Sequence, residues 1–215
     1  MLIQRISLYL ALIYEVLNQR PIVHMCPIPS FDHNHVLPPH TGNPILLGGV
    51  SPYEATILEF CQRFSTSPER VQLLKGLISF RLKMIDFGIT DGFQWVDGSF
   101  TENIELSDGR APRDIDVITF YWGLSIPAQN YIFDNFVEFF DPNLSKSGYK
   151  LDHYSVDCES DPSNSKDTLR IVELTKYWVQ LFCHNRKGVW KGMIKLPLLT
   201  DKSSDETALS FLNSL

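Results

Sequence analysis

With 215 residues, the chain is long enough for one sizeable core or at most two small domains. Its 44% hydrophobic and 20% charged residues are ordinary for a globular protein, and a formal charge of −6 argues against a whole-surface basic footprint for nucleic acid. The four cysteines, Cys26, Cys61, Cys158 and Cys183, contain no C-x-x-C pair. That argues against a zinc knuckle or a dense disulfide framework and reads as reduced thiols in a cytoplasm.

The opening MLIQRISLYLALIYEVL has an early arginine and an apolar run, yet Glu15 interrupts it and no small-residue cleavage site follows. It is also too short to span a bilayer. Its apolar positions suit an amphipathic helix, so residues 1–24 are expected to form a helical extension of a cytoplasmic protein with no membrane partner. Residues 25–50 carry Pro27, Pro29, Pro38, Pro39 and Pro44 and read as an extended arm. His33, His35 and His40 lie in that arm, at a spacing that matches no metal signature, and read as surface or packing residues. Residues 51–215 are then a single domain.

Ser51-Pro52-Tyr53-Glu54 offers an N-cap, a proline for the first helical position and a glutamate for a capping box, predicting a helix to about Phe64. Ser67-Pro68-Glu69 repeats the signal, and RVQLLKGLISFRLKMIDF continues at helical spacing until Gly88. Arg63, Arg70, Lys75, Arg81 and Lys83 are expected on solvated faces. A strand GFQWVD, the Gly98-Ser99 break, a polar loop to Arg113 and a strand DIDVITFYW come next. Ser125-Ile126-Pro127 predicts a third helix over AQNYIFDNFVEFF, closed by Asp141-Pro142, and YKLDHYSVDC alternates as a strand after an NLSKSGYK loop. Residues 159–168 read as a polar loop and IVELTKYWVQLF as a helix or a strand. A turn at Asn185–Gly188, a strand near VWKGMIKLPL and a short closing helix complete the chain. Trp95, Trp122, Trp178 and Trp190 are expected in the core.

Chemistry concentrates in the middle. Residues two apart on a strand share a face, so Asp114 and Asp116 point the same way from a run as apolar as IDVITFYW. Aspartate is depleted in strands and costly to bury unless paired or bound to a cation, and hard oxygen ligands suit Mg²⁺. Gly98-Ser99 ends the preceding strand. Glycine permits close backbone approach to a ligand, and exposed N–H groups at a tight turn can hold a phosphate.

The order VDGSF…PRDIDVITF, followed by an acidic strand, resembles the core signature of the polymerase-beta-type nucleotidyltransferase superfamily over roughly residues 68–158. It is most similar to the minimal nucleotidyltransferases, in particular a bacterial branch with a WVDGSF-type first motif. The resemblance implies an α/β (α+β) fold with a mixed sheet flanked by helices. It implies that Gly98 and Ser99 bind nucleotide phosphates, and that Asp114, Asp116 and a third carboxylate bind Mg²⁺ or Mn²⁺. The third carboxylate is Asp152 or Asp157; five apart, they face opposite sides of the strand, and Asp152, at its start, is favoured. The implied reaction transfers an NMP from an NTP to a hydroxyl of a protein, an RNA or a small molecule. The gap from Ser99 to Asp114 is longer than usual, and Thr101 and Glu102 stand where the superfamily often has a basic residue. Lys146, Lys150, Arg186, Lys187 and Lys191 are candidate phosphate contacts. The rival implication is a regulatory, antitoxin-like module of the same fold, with a toxin–antitoxin or defence partner protein.

Overall fold

A computed structural model describes residues 28–45, 49–159 and 164–215, so the helix expected over residues 1–24 lies outside the described residues. Five strands form one mixed sheet: β1 (Tyr53–Glu54), β2 (Gly92–Asp97), β3 (Ile115–Tyr121), β4 (Leu151–Asp157) and β5 (Ile194–Pro197), in the order β1-β5-β2-β3-β4. β2 runs antiparallel to both β3 and β5, whereas β4 is parallel to β3 and β1 is parallel to β5. The segment IDVITFY suits the interior position of β3, because its β-branched and aromatic residues are covered on both faces.

Seven α-helices surround the sheet among the described residues: α1 (Ile57–Phe64), α2 (Pro68–Asp86), α3 (Ile104–Asp108), α4 (Ile126–Asn135), α5 (Pro142–Tyr149), α6 (Ser165–Phe182) and α7 (Ser203–Asn213). The α+β class with a mixed sheet is therefore as expected. α2 begins at its Ser67 cap and is followed by Gly88 at φ +77°, as its sequence predicts. α1 starts later than expected. Tyr53 and Glu54 pair with Ile194 and Lys195 instead of coiling, and Thr56 closes the capping box with Glu59. Asp141 does not close the third helix, which stops at Asn135. Its carboxylate accepts from Asn143 N at 2.8 Å and caps α5, where the sequence suggests only a loop. The ambiguous IVELTKYWVQLF is helical, within α6.

The larger core lies on one face of the sheet, where α1, α2, α7 and Ile132 of α4 cover Val96, Val117, Leu151, Ile194 and Leu196. Leu37 of the arm is buried there too. On the other face Trp178 and Phe182 of α6 cover Trp95, Ile118, Phe120 and Val156. Trp122 and Trp190 are 43% and 64% exposed, contrary to expectation: Trp122 stands just past the end of β3, and Trp190 lies in the loop before β5, bridged to His184. α5 abuts α2 at Gly76, where a Cβ would come within 2.2 Å of the Tyr149 carbonyl oxygen. This contact gives a mid-helix glycine a packing reason that outweighs its roughly 1 kcal/mol propensity cost.

Two arginines expected in solvent are buried. Arg81 donates to Asp205 of α7 at 2.6 Å, to Gln94 Oε1 of β2 at 2.8 Å and to the Pro197 carbonyl at 3.0 Å. Gln94 donates to the Thr119 hydroxyl, which is 2.8 Å from His153 Nε2, so the polar chain crosses β2, β3 and β4 beneath the sheet. Helical periodicity alone does not separate a buried arginine with a partner from a solvated one. Asp205→Ala leaves Arg81 charged, buried and unpaired, and is expected to cost about 3–5 kcal/mol in urea unfolding. Asp86→Ala, which breaks the exposed Asp86–Lys202 pair, is expected to cost under about 1 kcal/mol.

Candidate active site

Pairing registers decide which carboxylates meet. Asp97 is the direct cross-strand neighbour of Asp116, and Asp116 that of Asp152. With adjacent strands ~4.8 Å apart, the three form a row across one end of the sheet, on the face that carries Trp95 and Ile118 farther along. Asp114 precedes β3 by one residue and joins the row through Lys146 of α5, whose Nζ lies 2.6 Å from Asp114 Oδ2 and 3.5 Å from Asp152 Oδ2. Asp114, Asp116 and Asp152 are thus brought together. Asp157 sits at the far end of β4, opposite Tyr121, where its carboxylate accepts from Glu159 N and Gln129 Nε2.

The Gly98-Ser99 turn packs directly on this row. Gly98 has φ +80° and ψ −166°, and a Cβ there would lie 1.7 Å from Asp116 Oδ2. Only glycine allows both the backbone conformation and that approach. A 3₁₀ turn over Ser99–Thr101 follows, anchored by Phe100, which is buried against Phe60 and Phe64.

Two buried cations hold the turn from behind. Lys191 donates to the Gly98 carbonyl at 2.9 Å and to Glu102 Oε1 at 2.8 Å, and pairs with Asp97 Oδ1 at 3.1 Å. Arg70 donates to the Phe100 and Glu102 carbonyls at 2.6 and 2.7 Å and to Glu105 at 2.6 Å. Lys191, read from sequence as a candidate phosphate contact, is therefore a scaffold residue: its ammonium is buried and its donors are directed at the turn. Thr101 and Glu102, just after the turn, bond to Asp97 and Lys191 respectively. Lys187 pairs with Asp108, Arg186 is exposed, and Lys150, at φ +61°, caps the end of α5.

Burial, then the charges of Asp114 and Asp152, push the Asp116 carboxyl up to about 6. Burial likewise raises Asp97 to about 7 despite Lys191. The hydrogen bond to Asp114 raises Lys146, and partial burial followed by the Asp152 charge raises Tyr154, which bonds to that carboxylate. Among the described residues no three His, Cys, Asp or Glu side chains stand close enough to hold a metal ion as placed. The donor chemistry nonetheless suits a hard cation, and the Lys146 ammonium stands in for one between Asp114 and Asp152.

Sequence reasoning missed three parts of this site. Asp97 was legible, because alternation in GFQWVD puts it on the face of Trp95. The ties of Arg70 and Lys191 to the turn, and of Lys146 to Asp114, leave no local signal.

The fold and site define an α+β protein with a row of acidic side chains and a glycine turn at one sheet end. The chain belongs to DUF6932, a family of unknown function whose profile matches residues 29–197. No curated protein and no solved structure matches it. Among the described residues no helix is long and apolar enough to cross a membrane.

Two outcomes follow from the electrostatics and the close approach. An unfolded aspartate titrates near 3.9, so between about pH 4 and pH 6 the folded chain holds a proton on Asp116 that the unfolded chain has released. This contribution makes stability fall as pH rises through that window. Asp116→Asn is expected to gain stability over wild type across it, reaching on the order of 2–3 kcal/mol at pH 7 in metal-free urea unfolding. A difference that does not change with pH would contradict the assignment. Gly98→Ala is expected to cost roughly 1–3 kcal/mol in the same assay, because the new Cβ must displace the Asp116 carboxylate.

Proposed function

We propose that the protein is a metal-dependent nucleotidyltransferase of the polymerase-beta-like fold, moving an NMP from an NTP to a hydroxyl acceptor. One observation supports the reading: Asp116 lies in register with Asp152 and against the Gly98 backbone, so the glycine turn and the carboxylates adjoin at one end of the sheet. Asp114, Asp116 and Asp152 would hold Mg²⁺ or Mn²⁺, which when bound neutralises charge on the triphosphate and the attacking oxygen. Gly98 and Ser99 would bind phosphate oxygens through turn N–H groups. Asp152 would accept the proton of the acceptor hydroxyl. The hydroxyl oxygen forms a bond to the α-phosphorus in line with the breaking bond to pyrophosphate, which leaves with its electron pair. Positioning supplies most of the catalysis.

A second reading, a regulatory binding module of the same fold, is favoured by one observation: Lys146 already neutralises Asp114 and Asp152. The two separate in one assay. Each NTP, labelled at its α-phosphate, is incubated with the full chain, Mg²⁺ or Mn²⁺ and a cell lysate. Transfer of label by wild type but not by an Asp114→Ala/Asp116→Ala double variant is expected. Absence of transfer with every NTP from a folded protein would favour the binding module, with a partner protein as its target.

A further inference from the structure

Resting on the metal-binding reading, we infer that Lys146 sets the affinity of that site: its ammonium is a built-in competitor that a cation must displace. Two lysines touch the acidic row, and their surroundings differ. Lys191 is 2% exposed at its side chain and is tied to Asp97, Gly98 and Glu102, so it cannot leave without emptying a buried position. Lys146 is 51% exposed, and its ion pairs are to Asp114 and Asp152, the side chains that a cation would use. The backbone beneath it is fixed. Asp141 caps α5, the Ser145 hydroxyl donates to the Leu151 carbonyl at 2.9 Å, and Ile115 N donates to the Lys150 carbonyl at 3.1 Å. The four-carbon stem on that fixed helix is the mobile part, and swinging it into water costs little.

Charge then sets the selection. A monovalent ion offers the carboxylates no more charge than the ammonium it would replace, and must lose its own hydration to do so. A divalent ion adds one unit of positive charge beside three carboxylates. The carboxylates therefore favour a divalent cation, and Lys146 lowers the apparent affinity for whichever cation enters. The metal-free protein keeps Asp114 and Asp152 paired meanwhile.

The test is Mn²⁺ binding by the full chain, followed through the loss of the free-ion electron paramagnetic resonance signal, with thermal melting alongside. Lys146→Met is expected to bind Mn²⁺ roughly three- to tenfold more tightly than wild type, the range set by two exposed ion pairs. Lys146→Arg, which keeps the charge, is expected not to tighten it. Without metal, Lys146→Met is expected to melt below wild type, with the gap closing at saturating Mn²⁺. Equal or weaker Mn²⁺ binding by Lys146→Met overturns the inference and leaves the metal site standing. No Mn²⁺ binding by wild type or by Lys146→Met overturns the metal reading and the inference together. Should Lys146→Met fail to fold, Lys146→Gln carries the same comparison.

Discussion

Three aspartates held side by side on adjacent strands repel one another, and much of the surrounding structure can be understood as managing that repulsion. At a separation of about 5 Å and an effective dielectric constant of about 20, each ionised pair costs about 3 kcal/mol. Three devices reduce the cost. Burial lifts Asp116 and Asp97 toward neutrality, Lys191 pairs with Asp97 from behind, and Lys146 bridges Asp114 and Asp152 in front. The Gly98 turn owes its geometry to the same crowding, since its backbone lies where any side chain would strike Asp116.

The acidic row exists only because the register of β2, β3 and β4 is fixed. A slip of one residue would carry each aspartate to the opposite face of the sheet. The other face supplies the pin. Gln94 of β2 bonds to Thr119 of β3, Thr119 bonds to His153 of β4, and Arg81 ties Gln94 to Asp205 in α7. Burial drives His153 down to about 3, so it stays neutral and serves as a hydrogen-bonding partner in this chain. A slip would break these buried bonds as well as the aspartate row, and an unsatisfied buried polar group costs about 1–3 kcal/mol. Structure beneath the sheet therefore sets chemistry above it.

Local signals made some of this legible in the sequence. GFQWVD and DIDVITFYW alternate or run apolar as strands do, and Ser67-Pro68 and Ser125-Ile126-Pro127 place caps and prolines where α2 and α4 begin. Asp116 and Asp152 can be placed on one face by counting once the register is known. What stayed hidden depends on contacts distant in sequence. Ser51-Pro52-Tyr53-Glu54 carries convincing helix chemistry, but pairing with Ile194 and Lys195 takes Tyr53 and Glu54 into the sheet. Asp141-Pro142 reads as the end of a helix, but α4 stops at Asn135 and Asp141 instead caps the start of α5. Arg70 and Arg81 look like solvated charges, and Lys191 like a phosphate contact, until their partners, 13 to 124 residues away, are known.

The placement of Lys146 bears on how the proposed metal site would survive without an ion. Structural metal centres often couple folding to binding, because their ligands repel or remain unsatisfied until the ion arrives. Here the chain carries its own cation, on the short helix that leads into the strand bearing Asp152. The sheet, its register and the turn can therefore form without an ion, and on the proposed reading binding would require only that one exposed side chain move aside. Such a site would keep folding independent of metal supply and reserve the ion for chemistry. It would also set the affinity below what three free carboxylates would give, because every entering cation would first have to compete with an ammonium tethered within reach.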